Sequence, residues 1–198
     1  LVGSEMCIRD RKNINVIVKN DLGDKATGKT DKNGEVTVPE VEKTEHHSAY
    51  VVGYTDGTFG PERNMTRSEA AAIFARLLAD KNGDNISPVA KTKFSDVPAY
   101  AWYSGYVKYL NNNGVTYGNS KTNFAPDKQI TRAEFTTLAV RFFDAYGDGD
   151  AEIMEQFKSF DDVSDGYWAA EYIKAAAKHG WITGYGDGSF RADRQITR

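Results

Sequence analysis

Cysteine is almost missing from this chain: there is one, Cys7, in 198 residues, so no disulfide can form within it. A protein of this length does not need one, because a core of sufficient size can hold a secreted or an intracellular domain without disulfides. A basic excess is missing too. Lys and Arg number 25 against 28 Asp and Glu, a net charge of −3, which argues against a nucleic-acid partner and its basic footprint. No apolar run approaches the roughly 18 residues a membrane helix requires, so membrane insertion is not expected. No secretory-signal pattern opens the sequence.

That last absence carries no weight, because residues 1–11 (LVGSEMCIRDR) have neither periodicity nor turn logic. They resemble a translated sequencing adapter and read as a non-native scar, and Cys7 is set aside with them. What remains is ordinary for a globular protein, with 40% hydrophobic and 27% charged residues.

Residues 12–48 read as a β remnant and linker. Ile14, Val16 and Val18 alternate with polar residues, as in a half-buried strand. Asn20–Gly23 and Asp31–Gly34 are turn sequences, the second with Asn-Gly suited to positive φ. Val36 and Val38 alternate again before Pro39. The segment reads as a loosely held tail; the alternative is the last strands of a β-sandwich domain truncated upstream, since the pattern looks like the end of an Ig-like or similar surface module. Glu40–Ser48 reads as a polar linker, and its neighbouring His46 and His47 make a poor metal chelate.

From residue 49 onward the chain repeats itself, and a fixed period decides architecture. Met65-Thr66-Arg67-Ser68-Glu69 recurs as Ile130-Thr131-Arg132-Ala133-Glu134 and again as Ile196-Thr197-Arg198, with the arginines 65 and 66 apart. Thr66 with Glu69 and Thr131 with Glu134 are capping boxes. Behind them run the apolar stripes Ala70, Ile73, Phe74, Leu77, Leu78 and Phe135, Leu138, Ala139, Phe142, Phe143. Phe94-Ser95-Asp96-Val97 returns as Phe160-Asp161-Asp162-Val163, Trp102 as Trp168 and Gly114 as Gly180, each 66 later. The spacing predicts helices faced by Tyr103, Tyr106, Val107, Leu110 and by Ala169, Tyr172, Ile173, Ala176, closed by glycine at positive φ. A glycine-rich turn, Gly53-Tyr54-Thr55-Asp56-Gly57-Thr58-Phe59, returns at Gly184–Phe190. Repeat two departs there: Asn119, Lys121 and Thr122 follow Gly118 where the others have Tyr, Asp and Gly. The divisions are repeat one at 49–90, repeat two at 91–150 and repeat three at 151–198.

These residues resemble the S-layer homology domain family: F-x-D-V, then Trp, then the glycine turn with Phe, then I-T-R-A-E opening a helix. The resemblance covers about residues 49–198, three quarters of the chain. It implies a mainly α fold, a pseudo-threefold bundle of helix–loop–helix repeats with grooves between neighbours, preceded here by the short β remnant. It implies non-covalent attachment to a bacterial secondary cell-wall polysaccharide, typically pyruvylated, at the cell surface, with neither cofactor nor catalysis. In that arrangement the helix opened by Thr197 and Arg198 fills one third of the bundle, so self-association through an open face is expected of a chain ending there.

Candidate ligand residues follow. Arg67, Arg132 and Arg198 stand in the first helical turn, where an anion between guanidinium and free N–H groups is favourable; a carboxylate suits such a site. The alternative is an arginine paired to a nearby Asp or facing solvent. Gly53, Gly118 and Gly184 let backbone approach a sugar, and Asp56 and Asp187 can accept its hydroxyls; turn geometry alone explains them equally well. Trp102 and Trp168, beside Phe94 and Phe160, read better as core packing than as sugar stacking. Two other functions compete. A wall-polymer hydrolase would use paired carboxylates such as Asp161-Asp162 or Asp148 and Asp150. A calcium-binding module would use Asp80–Asp84, although Asn85 and Lys91 stand where an EF-hand loop needs Gly and Glu.

Overall fold

The computed structural model describes residues 15–19, 25–30, 36–37, 49–147 and 159–198. The chain divides into two compact units, Leu1–His46 and His47–Arg198. In the first, β1 (Asn15–Lys19), β2 (Lys25–Thr30) and β3 (Val36–Thr37) form an antiparallel sheet in the order β1-β2-β3. Asn15 pairs with Lys29, and Lys29 pairs with Thr37 on its other side. The turns expected at 20–23 and 31–34, the linker histidines and residues 1–11 lie outside the described residues, as do Asp148 and Asp150.

The second unit holds α1 (Arg67–Asn82), α2 (Ser104–Asn112), α3 (Arg132–Tyr146) and α4 (Ala170–Lys178). The unit is helical as expected, and both capping boxes form: the Thr66 hydroxyl accepts from the Glu69 N–H while Glu69 accepts from the Thr66 N–H, and Thr131 and Glu134 do the same. Gly114 and Gly180 take the positive φ expected at the helix ends, 74° and 67°.

The three Met/Ile-Thr-Arg segments meet one another. The Met65 N–H donates to the Ile196 carbonyl (2.9 Å), the Ile130 N–H to Met65 (2.9 Å) and the Ile196 N–H to Ile130 (3.3 Å), a closed ring of backbone bonds among three repeats. A second ring surrounds it: Arg67 N–H to the Lys128 carbonyl, Arg132 N–H to Arg194 and Arg198 N–H to Arg63. The Asn64 side-chain amide bonds to both the Gln129 and the Gln195 carbonyl oxygens, so the polar residue two before each threonine also closes on its equivalents. Equivalent residues meeting in a closed cycle are the signature of a pseudo-threefold axis.

Around that axis α1 packs on α2 and α3, and α3 on α4. Because α1 has neighbours on several sides, its buried set is wider than the expected stripe: Ala71, Ala72 and Ala75 are buried with Ala70, Phe74 and Leu78, while Ile73 and Leu77 are only half-buried. The alanines keep the helices close enough for Phe74 to meet both Phe135 and Phe142 at 5.2 Å between ring centroids. A second cluster joins Ala169, Ile173 and Phe190 of repeat three to Ala133 of α3.

The glycine turns feed into a left-handed residue after each phenylalanine: Gly60 (φ 63°), Ala125 (57°) and Arg191 (58°). Such a conformation costs a non-glycine residue about 1–2 kcal/mol. Repeats two and three meet this with an aspartate. Asp96 accepts the N–H groups of Phe124 (2.8 Å) and Ala125 (2.6 Å), and Asp162 those of Phe190 and Arg191 (both 2.7 Å). Repeat one has no F-x-D-V segment and uses glycine at this place instead.

Candidate functional site

Two grooves of the same construction lie between repeats. The first, about 510 Å3, runs along α1 and is lined by Val52 to Thr55 of the glycine turn, by Glu69, Ile73 and Arg76, by Trp102 and Asp127 of repeat two, and by Arg198 of repeat three. The second, about 470 Å3, runs along α3 and is lined by Thr116 to Asn119, by Lys128, by Glu134, Leu138 and Arg141, by Trp168 and Asp193 of repeat three, and by Arg67 of repeat one. Each groove therefore takes residues from all three repeats, as a threefold arrangement requires.

The arginine after each N-cap threonine reaches into the repeat ahead of it. Arg67 Nε donates to the Phe124 carbonyl at 2.9 Å, and Arg132 Nε to the Phe190 carbonyl at 2.9 Å. Arg198 closes the cycle, donating to the Val52 carbonyl and lying 5.2 Å over the Phe59 ring. Two of the three meet the capping-box glutamate of that next repeat: Arg67 lies 3.4 Å from Glu134 and Arg198 3.4 Å from Glu69. Arg132 bonds instead to the Thr183 carbonyl and lies 5.2 Å from the Tyr185 ring centroid. The Arg67 side chain is only 7% exposed. Burial pulls its guanidinium below its ordinary value, against the opposing pull of Glu134 and Asp96.

This corrects one premise of the sequence reading. The helix N-termini offer no free N–H groups for an anion, because each is occupied: Arg67 N–H by Lys128, Ser68 N–H by the Pro126 carbonyl and Glu69 N–H by Thr66. The start of α3 is filled in the same way by Arg194, Ala192 and Thr131. The carboxylate that answers the arginine is the protein's own glutamate. Glu134 is pushed up by burial, yet the Thr131 N–H, Lys128 and Arg67 together hold it below its ordinary value of 4.5.

The glycines approach side chains closely. A Cβ on Gly118 would stand 2.4 Å from the Phe94 ring, and one on Gly184 2.6 Å from Phe160; on Gly53 it would meet the Thr58 carbonyl at 3.0 Å. Asp56 and Asp187 close their own turns. Asp56 accepts from the Thr58 hydroxyl (2.7 Å) and N–H (2.9 Å), and Asp187 from those of Ser189 (2.6 and 3.0 Å). Asp187 lies well below the usual carboxylate range, through the Ser189 hydroxyl first and Arg191 second.

The tryptophans correct a second reading. Trp102 is 56% exposed and Trp168 57%, so they line the grooves and not the core. The reason is local: α2 begins at Ser104 and α4 at Ala170, so each tryptophan precedes the first helical turn and falls outside the apolar stripe, whose buried places go to Val107, Leu110, Ile173 and Ala176. The calcium loop is corrected as well. Asp80, Lys81 and Asn82 are the last residues of α1, and Gly83 is its left-handed C-cap. The Asp162 carboxylate is raised by burial but lowered further by the backbone N–H groups of Phe190 and Arg191, a net fall that suits a structural clamp.

Two groove arginines escaped the sequence reading. Arg76 donates to the Tyr106 hydroxyl and Arg141 to that of Tyr172. Their signal was the period itself: Arg76 and Arg141 are 65 apart, Tyr106 and Tyr172 66 apart.

The family pattern described as the S-layer homology domain matches residues 40–71, 93–136 and 159–198. A cellulosome-anchoring protein of Acetivibrio thermocellus is 36% identical over 175 residues, 86% of this chain and 37% of that protein. S-layer protein EA1 of Bacillus anthracis is 30% identical over 148 residues, 75% of this chain and 16% of the relative. An amylopullulanase of Thermoanaerobacterium thermosulfurigenes matches at 30% over 148 residues, 75% of this chain and 8% of that enzyme. The chain thus spans well under half the length of each.

Proposed function

Since the chain belongs to the S-layer homology domain family, we propose that residues 49–198 are a non-catalytic module that holds a protein at a bacterial cell surface by binding a wall polysaccharide in the grooves between repeats. The observation that carries this is the recurrence of one groove twice, at about 510 and 470 Å3, within the range of roughly 300–1,000 Å3 usual for small-ligand sites. Each offers an exposed tryptophan face, hydroxyl and carbonyl groups of the glycine turn, and a guanidinium from α1 or α3. Sugars are bound by that combination of flat apolar surface and bidentate polar groups. A pyruvate ketal on the polymer supplies the carboxylate that the cations would receive.

Two carboxylates already have structural partners that argue against a hydrolytic role for them. A general acid needs a raised pKa, whereas Glu134 is held low by three partners. The Asp162 oxygens are both taken by backbone N–H groups.

The test is co-sedimentation of the chain with wall sacculi before and after chemical removal of their polysaccharide. Binding is expected to be lost with the polysaccharide; binding that survives its removal overturns the reading.

A further inference from the structure

The two grooves share a plan but not a charge. On α1, Glu69 Oε1 meets one cation among the described residues, Arg198, at 3.4 Å. On α3, Glu134 Oε1 meets two, Arg67 at 3.4 Å and Lys128 at 2.9 Å. One carboxylate facing two cations leaves a positive charge that the α1 groove does not have.

The extra cation has a traceable origin in the departure of repeat two. Lys128 stands where repeat one has Arg63, and Arg63 is held at its glycine turn, 3.8 Å from Asp56 and 4.6 Å from the Tyr54 ring centroid. Repeat two has Lys121 in place of Asp56 and Asn119 in place of Tyr54. Neither the carboxylate nor the ring is there to hold a cation at the turn, and Lys128 lines the groove instead, half exposed and bonded to Glu134. The second arginines differ in the same sense. Arg76 is tied by the Tyr106 hydroxyl and by the Tyr50 carbonyl. Arg141 bonds only to the Tyr172 hydroxyl among the described residues, and its guanidinium lies against the Tyr117 and Tyr172 rings.

We propose that the grooves divide the polymer between them: the α3 groove takes its acidic unit, the carboxylate received by Lys128 and Arg141, and the α1 groove takes a neutral stretch. This rests on the wall-polysaccharide reading and adds which groove reads the charge and why. Lys121 acts here as a positioning residue, by leaving Lys128 free of the turn.

The experiment is calorimetric titration of the 198-residue chain with a short wall-type saccharide carrying a pyruvate ketal, and with its methyl ester, which keeps the size and removes the charge. The parent is expected to prefer the acid. Lys128→Gln should weaken acid binding about tenfold, the low end for a charge-assisted bond, and leave the ester within about twofold. Lys128→Arg should restore the acid, and Lys121→Asp should weaken it with the ester unchanged, each variant melting as the parent does, whereas Arg76→Gln, in the groove assigned to the neutral stretch, should weaken acid and ester alike. If Arg76→Gln costs the acid more than the ester, or if Lys128→Gln weakens acid and ester equally, the division between grooves is wrong. A parent that binds neither saccharide overturns the polysaccharide reading itself.

Discussion

Replacing Arg67 by alanine tests whether the repeated arginines hold the fold together. The guanidinium sits 7% exposed between the Phe124 carbonyl, at 2.9 Å, and Glu134, at 3.4 Å. Removing it leaves a buried carbonyl without its donor, which costs about 1–3 kcal/mol. It also leaves Glu134 with Lys128 as its remaining cation, so the loss falls at the low end of the roughly 3–5 kcal/mol seen when a buried pair is broken. The guanidinium's contact with the Phe124 ring, 5.1 Å from its centroid, goes as well. We expect about 3 kcal/mol from urea melts followed by circular dichroism, against a total of about 5–15 kcal/mol for a native domain. The melting temperature should fall by roughly 6–12 °C at about 2–4 °C per kcal/mol. The sequence alone placed Arg67 among the candidate ligand residues, with pairing to a nearby Asp or exposure to solvent as the alternative. A loss under about 0.5 kcal/mol, the range of a surface change, would show that Arg67 does not join repeat one to repeat two.

Three further substitutions probe the scaffold. Gly118→Ala should cost about 2–4 kcal/mol, from left-handed strain at φ 87° and from overpacking 2.4 Å from Phe94; a melt unchanged from the parent would show that the turn relaxes freely. Asp96→Ala should cost about 3 kcal/mol by removing two charge-assisted bonds to backbone N–H groups, and adding Ala125→Gly should recover about 1 kcal/mol of it. A double variant no more stable than Asp96→Ala would mean that the aspartate is not offsetting backbone strain. Glu134 has a depressed folded-state pKa, so its contribution is present above the unfolded value of about 4.5 and is lost as pH falls through the lower folded one. Stability should therefore decline below about pH 4.5, less steeply in Glu134→Gln; parallel declines would remove Glu134 from that linkage.

The elements were legible in the sequence because their causes are local. A threonine three residues before a glutamate satisfies helix N–H groups wherever it stands, and a glycine able to take positive φ ends a helix without reference to the rest of the chain. Periodicity showed only that residues 65 or 66 apart occupy like places; the threefold plan came from the resemblance to the family. What the sequence could not show was which like places face one another. No local motif ties Arg67 to Phe124, 57 residues further on; the guanidinium finds that carbonyl only when repeat two is laid beside repeat one. For the same reason the first-turn N–H groups, free in an isolated helix, are taken here by Lys128 and Pro126. The tryptophans were misjudged because burial depends on where the helix begins, and a place just before its first turn was enough to put them in the grooves. Local chemistry determined the parts; the closed ring of three segments decided which parts meet, because only a tertiary contact can give a buried charge its partner.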